Sequence, residues 1–180
     1  MIGVRNRRRF SASLALAFAL ANGFMYGCGG DETELEAVDF APIAISDQEG
    51  AVCGMLVREQ SAPRSQVVHR DGERSFLCSI GDLLAYLAAP SPHGAPARVL
   101  VEVLQPTQDP ALSHTDAHPW IVADEGVYVV GIERERIMGA PVLIYRDRAA
   151  AEQMAVGTSA KILSWSELGS WWAEQGGTPH

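Results

Sequence analysis

The run Val67-Val68-His69-Arg70-Asp71-Gly72-Glu73-Arg74-Ser75-Phe76-Leu77, continuing into Cys78-Ser79-Ile80-Gly81-Asp82-Leu83-Leu84, decides the fold. Val67–Arg70 and Arg74–Leu77 flank Asp71-Gly72, whose residues tolerate the positive φ of a tight hairpin turn. Ser79 then stands at a helix N-cap with Asp82 three residues on, in a capping-box-like position. Leu83, Leu84 and Leu87 form the apolar stripe that follows. Pro90 and Pro92 stop the helix, and Arg98 to Leu104 alternates in Val and Leu as a strand does. The predicted order is β-β-α-β.

A second pass through the same order begins near Trp120. Val127-Tyr128-Val129-Val130 and Val142-Leu143-Ile144-Tyr145 read as strands. Asp147 caps a helix running through Ala149 to Met154 that ends near Gly157, and Ile162-Leu163 starts a short strand. Ser164-Trp165-Ser166-Glu167 fits a capping box opening a terminal helix that carries Trp171 and Trp172. Antiparallel hairpins with segregated helices predict an α+β fold: two ββαβ units packed together, about 51–105 and 120–164, plus a C-terminal helix, within a domain of 48–175.

The chain ahead of that domain reads differently. Arg5, Arg7, Arg8 and Arg9 form a basic start, followed by the apolar run Ala12 to Ala21. That run is shorter than the about 20 residues a membrane-spanning helix needs, so residues 1–27 are predicted to be a signal peptide. Asn6-Arg7-Arg8-Arg9-Phe10 is similar to a twin-arginine signal, and an ordinary basic n-region fits the same residues. Met25-Tyr26-Gly27-Cys28 resembles a bacterial lipobox, with Met25 and Tyr26 where Leu and a small residue are usual. Acylation of Cys28 would anchor the protein to a membrane, since several acyl chains hold where one does not. Residues 28–47, acidic and without sustained periodicity, are expected to be a flexible tether. Gly29 after the cysteine leaves open whether the inner or outer membrane is the destination.

Of 180 residues, 14 are basic and 22 acidic, a net charge of −8. The first 27 residues hold four arginines and no acid, so the remainder carries a net of −12. A body that acidic is a poor partner for nucleic acid. No GxSxG, P-loop or GxGxxG between strand and helix is present, which removes common hydrolase and nucleotide readings. Three cysteines are too few for a disulfide scaffold, and no CxxC pair points to zinc.

The chemistry candidates are sulfur atoms. In Cys53-Gly54-Met55 an extended backbone would aim a thiolate and a thioether to the same side, and soft sulfur donors select Cu(I). By spacing alone, core filling is the commoner reason for such a pair, since both residues bury readily. Met138 lies beside Gly139 in a loop rather than in a strand, whereas Met154 falls on an apolar helix face. Cys78 reads first as a buried small hydrophobe, second as a disulfide partner of Cys53, and third as a thiol activated by a helix N-terminus. His114 and His118 share i, i+4 spacing in a stretch with no helix pattern, and are expected to be solvated loop histidines.

Several blocks together resemble the NosL family of periplasmic copper lipoproteins. They are Val52-Cys53-Gly54-Met55-Leu56, Ala62-Pro63-Arg64-Ser65-Gln66 and Phe76-Leu77-Cys78-Ser79-Ile80-Gly81-Asp82-Leu83. The likeness continues in Trp120-Ile121-Val122-Ala123, Val127–Gly131, Met138-Gly139 and Arg148–Glu152, in the family's order from about Val52 to Leu163. The resemblance implies Cu(I) binding by Cys53, Met55 and Met138, with paired ββαβ units related in shape to organomercurial lyase. It also implies delivery of copper for maturation of nitrous-oxide reductase, with that enzyme and its membrane transporter complex as partners, on the periplasmic face of a bacterial membrane. The resemblance implies a carrier rather than an enzyme. Two departures stand out: the charged Ile132–Arg136 replaces a shorter link before Met138, and Gly157-Thr158 stands where Gly-Gly is usual. Two other classes fit parts of the sequence: a thiol-dependent enzyme of the organomercurial-lyase type using Cys53 and Cys78, and a bridging lipoprotein that binds no metal.

Overall fold

The computed structural model describes residues 38–137 and 139–176. The signal peptide, Cys28 and the first part of the tether lie outside the described residues, as does Met138. The first unit runs β1 (Ser65–His69), β2 (Arg74–Leu77), α1 (Ile80–Ala88) and β3 (Pro96–Glu102). β4 (Trp120–Val122) follows, and then the second unit: β5 (Val127–Val130), β6 (Val142–Tyr145), α2 (Arg148–Ala155) and β7 (Lys161–Leu163). α3 (Trp165–Glu174) closes the described chain. The fold is α+β, with two ββαβ units and a C-terminal helix.

Each unit places its strands identically. The first strand of the hairpin is central, the second lies on one side, and the strand after the helix lies on the other: β2-β1-β3 and β6-β5-β7, all antiparallel. β4, with which the second pass opens in sequence, pairs antiparallel with β3 and becomes the fourth strand of the first sheet. Central β1 is buried at all five residues, including Ser65, Gln66 and His69. Paired on both edges and covered on both faces, it has no side exposed to water, so the usual alternation fails there.

The caps behave as their residue types require. Ser79 Oγ accepts the Asp82 N–H at 3.1 Å, and Asp147 Oδ1 accepts the Ala150 N–H at 2.9 Å. At α3, Ser164 and Glu167 form a complete capping box, a device worth about 0.5–2 kcal/mol at a helix start. The main core lies between the sheets: Val67, Leu77, Leu83 and Val101 meet Tyr128, Val130, Ile144 and Leu168. Each such side chain, fully buried, contributes about 1.5–3 kcal/mol. Trp172 of α3 lies over Gly81, where an added β-carbon would meet the indole at 3.4 Å, so the terminal helix closes directly onto α1.

Residues 38–47, within the stretch expected to be tether, lie along the first sheet. The Gln66 side chain exchanges two hydrogen bonds with the Ile43 backbone, at 3.2 and 2.7 Å. Arg74 donates to the carbonyls of Asp39 and Ala41. Gln66 and Arg74 are polar groups on a covered strand face, and this segment satisfies them. Among the described residues no helix is long and apolar enough to cross a membrane.

Candidate metal centre

The loop carrying Cys53 is closed at its base and open at its tip. Gly50 N–H donates to Met55 O at 2.8 Å, Gly54 N–H to Gly50 O at 2.7 Å, and Ala51 N–H to Phe76 O at 2.9 Å. These bonds turn the chain back on itself beside β2, and Gly54 takes the left-handed φ of +69° that the turn needs. The extended Cys53-Gly54-Met55 backbone expected from the sequence is therefore a tight turn, because the 5→1 bond to Gly50 outcompetes a strand that has no partner here. Cys53 and Met55 nevertheless converge, since both pack with Ile45 against Val57, Phe76 and Cys78.

Cys78 comes to the same place from the end of β2, one residue before the α1 N-cap. Its Sγ lies 3.0 Å from Cys53 Sγ, and both thiols are free. Cys78 is 2% exposed, as a buried hydrophobe should be, but it faces its fellow thiol rather than hydrocarbon alone. Gly50 makes this approach possible: a β-carbon there would lie 2.6 Å from Cys78 Sγ and 2.7 Å from Cys53 Sγ.

Asp82 completes the group. Its carboxylate does not return to the Ser79 N–H as a full capping box would; it faces the Cys53 thiol and the Cys78 backbone N–H instead. Cys53, Cys78 and Asp82 each bring one ligand atom within 4.8 Å of the other two, the one such group of three among the described residues. Burial pushes the Asp82 carboxyl above its ordinary range. Burial, then the hydrogen bond with Cys53 and the nearby charges of Cys53 and Asp82, push the Cys78 thiol strongly up as well. At Cys78, desolvation outweighs the thiol-acidifying effect of a helix start. The Cys78 thiol thus keeps its proton until a cation displaces it. Two thiols with a thioether alongside suit a soft ion, and Asp82 is the one hard donor.

Other sulfur and histidine candidates separate. Met154 packs against Leu143, Ala150 and Ala151 in the second core. Met138 lies outside the described residues, in the loop joining β5 to β6. That loop is tied down by Arg134, which donates to the carbonyls of Ala62 and Leu112, and by the Glu135 N–H to Ala111 O. His114 bonds Asp109 O through Nε2. His118 is buried rather than solvated, because Asp116 O and the Gln108 side chain occupy its two ring nitrogens. Sequence reasoning missed Asp82 and Cys78 as members of the site. The signal was present as Cys78-x-x-x-Asp82 across a helix N-terminus, but the capping role of Asp82 concealed it.

Two ββαβ units, with paired thiols and a buried carboxyl at the strand–helix junction of the first, define a small α+β protein with a soft-metal donor set. A family model described as NosL matches residues 42–171, and the chain belongs to the NosL family. The copper-binding lipoprotein NosL of Stutzerimonas stutzeri is 27% identical over 161 residues, covering 89% of this chain and 81% of that protein. The crystal structure of the copper chaperone NosL from Shewanella denitrificans superimposes with a TM-score of 0.54 at 22% identity, covering 71% of this chain and 94% of that one. At that identity the likeness establishes the fold.

Proposed function

We propose that this protein is a copper carrier that holds Cu(I) as cargo and passes it on, with no catalysis of its own. The observation that carries the reading is the Cys53–Cys78 sulfur pair at 3.0 Å under a half-exposed turn. The names of the matched relatives, a copper-binding lipoprotein and a copper chaperone, point the same way. Cys53 is the principal ligand, as thiolate, and Met55 joins it from the same turn. Met138 comes from the β5–β6 loop, which Arg134 fastens to Ala62 in the segment continuing from the Cys53 turn. Cys78 supplies a second sulfur from beneath. Thioethers bind weakly enough for an acceptor's ligands to replace them one at a time, while the thiolate keeps the ion from escaping.

The finer reading follows the family. The protein is anchored through Cys28 on the periplasmic face of a bacterial membrane, and its copper serves the maturation of nitrous-oxide reductase with the help of that enzyme's membrane transporter complex. The acidic body favours a basic docking face on such a partner. Anaerobic competition titration with a Cu(I)-specific chelator tests the core of this. Cys53→Ala should weaken Cu(I) binding by at least about a hundredfold and Met55→Ala by about tenfold, as expected for a charged and a neutral soft ligand. Wild-type affinity in both variants overturns the site.

A further inference from the structure

We propose that Cys53 and Cys78 are also the two halves of a reversible intramolecular disulfide, and that closing this bond and holding Cu(I) are mutually exclusive. The copper half of this rests on the carrier reading above; the disulfide half stands on the thiol geometry. The two Sγ atoms are 3.0 Å apart and unbonded, with Gly50 placing no side chain against either. A disulfide needs about 2.05 Å, so closure asks for a shift of roughly 1 Å. The Cys53 turn can supply it. Apart from the Gly54 N–H to Gly50 O bond its hydrogen bonds are at the base, and Gly54 at the tip has open space around it.

Exposure sets the order of events. Cys53 is partly exposed and Cys78 is 2% exposed, so an outside reagent meets Cys53 first. The Cys53 thiolate attacks a disulfide R–S–S–R, forming Cys53–S–S–R and releasing one R–S⁻. Cys78 gives up its proton as it attacks the Cys53 sulfur, and the internal bond closes as the second R–S⁻ leaves and takes up that proton. Two protein thiols lose two protons and two electrons, and the small disulfide gains them. Burial of Cys78 directs the second step inward rather than toward another protein molecule.

Neither sulfur of the closed bond retains a thiolate, so the site loses both anionic sulfur ligands. Conversely, a Cu(I) ion on Cys53 occupies the nucleophile and blocks the first step. An emptied carrier on the oxidising side of a membrane is therefore exposed to closure each time it delivers its ion. Reloading then requires a dithiol reductant, and the partner class this site calls for is a dithiol–disulfide oxidoreductase acting on Cys53.

The test uses purified protein in a Cys28→Ser background, so that two thiols remain. Oxidised glutathione should yield a monomer about 2 Da lighter than the reduced protein, with Cu(I) affinity reduced at least about a hundredfold and restored by dithiothreitol. One equivalent of Cu(I) added beforehand should protect both thiols. A Cys78→Ser variant should stop at the mixed disulfide on Cys53. A mixed disulfide that persists in the two-thiol protein, or disulfide-linked dimers, overturns the internal bond. Unchanged Cu(I) affinity in the closed form overturns mutual exclusion. Absence of Cu(I) binding by the reduced protein overturns the carrier reading and leaves the disulfide result intact.

Discussion

Gly50 leaves the Cys78 sulfur just enough room: a β-carbon on Gly50 would lie 2.6 Å from the Cys78 sulfur, and 2.7 Å from that of Cys53. Real contacts do not reach such distances, so any side chain at position 50 must separate the sulfurs or shift the turn. Gly50 is held by backbone bonds on both sides, its N–H to Met55 O and its O from Gly54 N–H, so position 50 itself has little room to retreat. Gly50→Ala should therefore leave the sheets and far-ultraviolet circular dichroism unchanged. Cu(I) affinity should fall about tenfold or more as the donor atoms move out of ligating geometry. Competition titration beside a thermal melt checks both halves of that expectation.

Met138 and Met154 make a matched pair for testing the loop ligand. Met154 packs into the second core, whereas Met138 is the proposed loop ligand. Leucine conserves volume and apolarity but removes the sulfur. Met138→Leu should weaken Cu(I) binding by about tenfold with the melting temperature unchanged, and Met154→Leu should leave Cu(I) affinity as it was. Equal affinities in the two variants would remove Met138 from the site.

The sequence exposes most of the architecture and half of the site, and the reason differs in each case. The Asp71-Gly72 turn and the Ser79, Asp147 and Ser164 caps are local chemistry, so the strands and helices they bound are legible without tertiary context. β4 is not, because a three-residue strand is assigned by its partner: Trp120–Val122 has no local mark that it pairs with β3 rather than opening the second sheet. Cys53 and Met55 are neighbours in sequence and were legible as a pair, although the turn that joins them was not. Cys78 lies 25 residues away, and only the register of Ser65 opposite Leu77, with Gly50 bridged to Phe76, brings its sulfur to Cys53. Long-range pairing of that kind leaves no periodic trace.

Asp82 carries a proton-dependent contribution to stability whose sign is set by burial. Its folded pKa is raised above the ordinary 3.8. The folded state therefore favours the protonated carboxyl: the contribution is fully present below the unfolded value and is lost as pH rises through the folded one. Above that window the ionised carboxylate is a destabilising presence in the apo protein, with Oδ2 unpartnered among the described residues. Asp82→Asn should raise the apo melting temperature by about 2–6 °C near neutral pH, and the difference from wild type should close toward about pH 3–4. Melting curves of both proteins across that range decide it; a variant less stable than wild type at neutral pH would show that the carboxylate is stabilised rather than strained.

Arg64 and Glu102 form the other buried charge group, and it holds the frame on which the site loop is mounted. Arg64 Nε and its second terminal nitrogen donate to the two Glu102 oxygens at 2.6 and 2.8 Å, and both side chains are 3% exposed or less. The Arg64 backbone N–H also reaches Glu102 Oε2, at 3.1 Å, so both carboxylate oxygens are hydrogen-bonded. The guanidinium in turn donates to the carbonyls of Thr115 and Asp116, fastening the loop ahead of β4 to the strand that follows the Cys53 turn. Removing one partner strands the other as a buried charge, which costs about 3–5 kcal/mol, whereas replacing both with apolar residues of similar volume is often near neutral. Glu102→Gln should thus lower stability by several kcal/mol in urea denaturation, and Arg64→Met with Glu102→Leu should recover much of that loss. The recovery has a ceiling here, because the double variant still lacks donors for the Thr115 and Asp116 carbonyls; a double variant as unstable as Glu102→Gln would show that loop anchoring, not charge pairing, is what this pair chiefly supplies.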